Sequence, residues 1–147
     1  MQGSCTQYGI PIVYSIKNLP IETPTIQFNI NTGTTLVSLC QTSLNVNILP
    51  SKGFTKRTVF VTWSIITMSP SDTVMINNLT NGALANAANQ KYFYLASSDV
   101  ETLEGTSVVF KATVTNFLGN VGINSTTIVF SNSKYVEIHD LPDVVTI

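Results

Sequence analysis

Asp99, Glu101 and Glu104 fall within six positions and could offer their carboxylates to one metal ion. Hard cations such as calcium take several oxygens from one flexible loop. No Asp-x-Asp-Gly pattern accompanies the three, so a solvated acidic loop explains them better, and no metal or other cofactor is expected. Asp140 and Asp143 are weaker candidates of the same kind. His139 is the only histidine. A serine triad would have to use it, yet no Gly-x-Ser-x-Gly elbow is present. Paired carboxylates could serve glycoside hydrolysis, but loops this short rarely enclose such a cleft. No catalytic residue is assigned, and the chain is not expected to be an enzyme.

Tyr92 and Tyr94 share parity on one strand, so both rings point the same way. Such a pair could stack on a sugar, although aromatic rings more often pack in a core or an interface. Asn78-Leu-Thr80 and Asn124-Ser-Thr126 are acceptor sequons for N-glycosylation. Asn78 falls in a loop-like stretch and is the better acceptor; Asn124 falls at the start of a strand. Cys5 and Cys40 are the only cysteines. Their even number fits one disulfide in an oxidising compartment, and two buried thiols in a reducing one.

These groups are carried by strands. Val108, Phe110, Ala112 and Val114 alternate with Val109, Lys111, Thr113 and Thr115, the period of two of a strand with one face toward a core. Asn116 to Gly122 supplies turn residues, and Thr126, Ile128 and Phe130 resume the alternation. Ile10 to Ile16 suggests an earlier strand. Further strands are read at Thr25–Asn31, Thr35–Leu39, Ser43–Leu49, Thr58–Ile66, Thr73–Ile76 and Lys91–Leu95. Trp63, the lone tryptophan, and Phe110 are the expected core anchors. Leu79, Ala83, Leu84, Ala87 and Ala88 could form a short helical turn, but Asn81-Gly82 and the many asparagines favour a loop. Ser97 to Gly105 reads as a connector. The fold class is therefore all-β: an antiparallel two-sheet β-sandwich of about seven to nine strands.

Composition narrows the function. Charged residues make up 10% of the chain and the net charge is −1, which gives nucleic acid or an anionic membrane nothing to attract. No run approaches the ~18 apolar residues of a membrane span. Met1 to Cys5 is not a signal peptide.

Two blocks carry a family resemblance. One holds Cys40, Gly53, Arg57 and Trp63; the other holds Leu103, Gly105, Phe110, Asn116 and Gly119. Their order and spacing over about residues 35–130 resemble the polycystic-kidney-disease (PKD) type of immunoglobulin-like domain. They are closer still to the receptor-for-egg-jelly (REJ) modules of polycystin-like and protist surface proteins. That family often has a second cysteine just beyond the tryptophan. Ser64 and Ile65 stand there, which leaves Cys5 as the remaining partner of Cys40.

The resemblance implies an extracellular, non-catalytic structural or adhesion module in a secreted or cell-surface protein, usually arranged in tandem. Residues 1–34 would be N-terminal strands or the tail of a preceding module packed on the sandwich. Residues 35–131 would be the sandwich, and 132–147 a linker running into the first strand of the next module. Partners would be neighbouring modules of the same or identical chains, meeting at exposed strand edges. Two alternatives come from other classes: a carbohydrate-binding sandwich, and a capsid- or fibre-type shell subunit.

Overall fold

A computed structural model describes residues 22–38, 43–50, 52–54 and 57–132. The expected first strand at Ile10–Ile16 lies outside these residues, as do Cys5, Cys40, His139, Asp140 and Asp143. Seven strands build two sheets: β1 (Ile26–Ile30), β2 (Leu36–Val37), β3 (Leu44–Pro50), β4 (Phe60–Ser69), β5 (Tyr92–Leu95), β6 (Ser107–Thr115) and β7 (Val121–Phe130). One sheet has the order β1-β3-β5 and the other β2-β7-β6-β4. In the lettering of immunoglobulin sandwiches, β1, β3 and β5 take the places of A, B and E, and β4, β6 and β7 those of C, F and G. The sandwich starts before residue 35, because β1 is one of its strands.

Alternation is obeyed almost throughout. Leu44, Val46 and Ile48 of β3, Phe93 and Leu95 of β5, and Val108, Phe110, Ala112 and Val114 of β6 are all buried. Each of these except Ala112 contributes roughly 1.5–3 kcal/mol by leaving water. On β4, Val61 and Trp63 point inward, a bulge follows between Ile65 and Thr67, and Met68 is buried next. The extra residue resets the parity, which carries the strand three residues past the expected end at Ile66. All pairings are antiparallel except β2 with β7, which is parallel. The sheet is thus mixed at that edge, because the chain crosses from the β1 sheet to the β7 sheet between residues 30 and 36 without reversing direction.

The stretch between β4 and β5 departs from expectation. Thr73–Ile76 is not a strand, and the asparagine-rich stretch after it is not a loop. Helix α1 spans Thr73–Leu79 and continues into a π-helical segment, Thr80–Leu84. The Asp72 carboxylate accepts a hydrogen bond from Met75 N at 3.0 Å and caps the first turn. Leu79, Leu84 and Ala87 are buried, with Ile76 and Ala83 packed against the core. That helical stripe outweighs the weak propensity of the asparagines. The β propensity of Thr73, Val74 and Ile76 over four residues does not outweigh it.

The connector after β5 is likewise helical. α2 spans Ser97–Thr102, and Asp99 reaches back to Ala96 N at 3.3 Å. Replacing Asp72 with alanine should cost about 1 kcal/mol, read as a lower urea midpoint at unchanged slope. No loss would mean that packing alone holds the helix.

The helical run also settles the edges. It touches both β4 and β5, and Asn89 N donates to Val61 O at 2.8 Å. Unpaired strand edges invite association; on this side they are bridged. On the other side Asn124 Nδ2 of β7 donates to Ile26 O of β1 at 2.9 Å. These contacts tie the two sheets together at one point on each side.

Candidate functional site

Two neighbouring surfaces on the β5 side of the sandwich hold polar groups that could meet a ligand. The first is a groove. Met75, Asn78, Leu79, Gly82, Ala83 and Asn86 recur at helical spacing and form one wall. Tyr94, Ala96, Asp99 and Thr102 form the other, around a volume of about 540 Å³. This lies within the ~300–1,000 Å³ of small-molecule sites. Sequence reasoning missed the wall because it read residues 77–89 as a loop. The signal present was the spacing of Leu79, Ala83 and Ala87.

The second surface is the outer face of the three-stranded sheet. Register places Asn29 opposite Asn47, and Asn47 opposite Tyr92. Asn45 pairs with Tyr94 in the next row, and Asn31 lies beside Asn45, donating from Nδ2 to Ser43 O and accepting from Asn45 N at 2.9 Å. Two rows of amides therefore each end on a tyrosine ring. Neighbouring strands stand ~4.8 Å apart and like-facing residues ~7 Å apart along each strand, so the amides form a regular grid. Tyr92 is 46% exposed and Tyr94 52%. The rings are not core material, and Tyr94 borders both the grid and the groove. The Asn29 and Asn47 side chains make no hydrogen bond among the described residues, and Asn45 Oδ1 is buried without a partner.

The remaining sequence candidates are placed as follows. Trp63 and Phe110 are buried. Trp63 meets Phe93 edge-on at 4.8 Å, and Phe93 meets Phe110 at 4.7 Å, so one aromatic stack crosses between the sheets. Glu101 and Glu104 are exposed, and Asp99 is half-buried with one oxygen committed to Ala96 N. Among the described residues no three acidic, histidine or cysteine side chains gather into a cation site. Asn78 is exposed on α1, not in a loop, and lines the groove; a glycan there would fill it. Asn124 lies within β7, not at its start, and its amide nitrogen already ties β7 to β1.

The residues that carry the family resemblance have structural work. Asn116 is 2% exposed. Its Oδ1 accepts from Leu118 N and Asn120 N at 3.0 Å each, and its Nδ2 donates to Glu22 O at 3.2 Å. Gly119 closes that turn at φ +84°, a conformation that favours glycine. The Arg57 guanidinium lies 4.7 Å above the Phe117 ring at the same pole. Leu103 is fully buried beneath the turn that opens β6, its carbonyl accepting from Thr106 Oγ1 at 2.6 Å.

No helix among the described residues is long and apolar enough to cross a membrane. Comparison of the chain with family models, curated proteins and solved structures gives no match.

Proposed function

We propose that this protein is a non-catalytic structural or adhesion module of a secreted or cell-surface protein, of the PKD/REJ kind, which works by contact between neighbouring units. The observation that supports this reading is that residues 22–25 and the end of β7 lie at opposite poles of the sandwich. The lead-in 22–25 lies at the pole of the β6–β7 turn. There Asn116 holds Glu22, Thr25 N donates to Lys52 O at 2.9 Å, and a Cβ on Gly122 would overlap Pro24. The end of β7 lies at the opposite pole, where Ser131 N donates to Val37 O at 2.9 Å and Gly105 N to Phe130 O at 2.9 Å. Neighbouring units continuing from these two poles would stack end to end.

The outer face of the four-stranded sheet supports lateral contact. Register sets Phe60, Thr115 and Val121 in one row and Thr62, Thr113 and Ile123 in the next. Phe60 is 59% exposed and Ile123 64%. Clustered exposed apolar side chains mark contact surfaces, and here they lie on a sheet face. Sedimentation should show self-association that rises with concentration. Phe60→Lys or Ile123→Lys should weaken it at least tenfold, while stability stays within about 0.5 kcal/mol. A wild-type protein that stays monomeric at millimolar concentration would remove this support.

A further inference from the structure

We infer that the outer face of the β1-β3-β5 sheet is a binding site for a neutral saccharide chain. This inference is independent of the contacts proposed for the opposite sheet. The six side chains of the two rows, Asn29-Asn47-Tyr92 and Asn31-Asn45-Tyr94, carry no charge. An ionic ligand would find no counter-charge in them. A ligand rich in hydroxyls finds both donors and acceptors, since each amide offers an NH₂ and a carbonyl oxygen.

Asn29 is exposed and Asn47 half-buried, so a ligand can reach both amides, whereas Asn45 Oδ1 is buried beside them. The tyrosines complete the chemistry. Each presents an exposed ring against which the C–H face of a pyranose can lie, with a hydroxyl at its rim for hydrogen bonding. Because the rows lie a like-facing residue spacing apart, about 7 Å, successive rings of one oligosaccharide can meet Tyr92 and then Tyr94. Beyond Tyr94 the groove offers Asn78 and Asn86 to a further ring.

The test uses the full chain made without glycosylation, so that Asn78 is bare. It is titrated with linear gluco-, manno- and chito-oligosaccharides and followed by amide NMR. Saturable shifts confined to β1, β3, β5 and the groove wall are expected for at least one series. Tyr92→Ala and Tyr94→Ala should each weaken binding about tenfold, and Asn47→Ala several-fold. Ile123→Lys on the opposite sheet should leave it unchanged. Tyr92, Tyr94 and Ile123 are exposed and Asn47 half-buried, so the unfolding midpoint should stay near wild type and separates a loss of binding from a loss of fold. Three results would overturn the inference: no saturable shift at about 10 mM of any oligosaccharide, far above a millimolar dissociation constant; shifts on another face; or self-association through Tyr92 and Asn47 in place of sugar binding.

Discussion

Trp63→Ala should remove about 3–5 kcal/mol of folding stability, the largest loss expected from any single substitution in this sandwich. The indole is 7% exposed and stands where the sheets meet. Phe93 of the facing sheet packs edge-on against it at 4.8 Å, and Phe28 lies 6.1 Å away. Truncation opens a void lined by these rings, and both belong to strands held by neighbours, so collapse into it is restricted. The indole N–H also donates to Gln90 O at 3.1 Å. Gln90 is exposed, so water can take over that carbonyl and the hydrogen bond is the smaller share of the loss. Trp63→Phe separates the two effects, keeping most of the packing and losing the donor; it should cost about half as much. Urea unfolding with unchanged slope measures both. A loss below ~1 kcal/mol for Trp63→Ala would mean that the aromatic stack does not hold the sheets together.

Asn116→Ala is the second large effect, about 2–4 kcal/mol. One buried amide serves three backbone groups: it closes the β6–β7 turn through Leu118 N and Asn120 N and holds the lead-in through Glu22 O. Alanine leaves all three without that partner at a site of low exposure, and a buried unpaired group costs roughly 1–3 kcal/mol. Asn116→Asp is the informative companion. It keeps an oxygen for the two turn N–H groups but turns a carboxylate oxygen toward Glu22 O, where two acceptors repel. The turn should survive while the lead-in loosens. Hydrogen exchange at Thr25 N, which bonds Lys52 O, should then speed up while exchange within β6 and β7 stays slow. Equal acceleration in both places would show that turn and lead-in open together and that the amide does not join two separable parts.

Much of this fold was legible in the chain because alternation is a local signal. The parity of Val108 to Val114, Leu44 to Ile48 and Val61 to Trp63 follows from the pleat, whatever the strand pairs with. The helical run was not legible. Its asparagines and Gly82 carry loop signals, and what overrides them is the burial of Leu79, Leu84 and Ala87 against strands far off in sequence. The bulge at Ile66 was also hidden: an extra residue is recognised only against a partner strand, here Phe110 and Val109 of β6.

The candidate site shows the same division. That Asn29, Asn31, Asn45 and Asn47 face away from a core is written in the residues between them, since Phe28, Ile30 and Val46 are apolar and adjacent side chains point to opposite faces; for Tyr92 and Tyr94, aromatic like Phe93 between them, parity alone did not say which side is the core. That these six stand side by side was not written there. Adjacency depends on which strands pair and in what register, and that is fixed by the combined packing of two sheets, a helix and their connections. Sequence determined the direction of each amide side chain, because direction is set by one residue's neighbours along the backbone. Tertiary structure alone determined its company, because company is set by contacts between residues tens of positions apart.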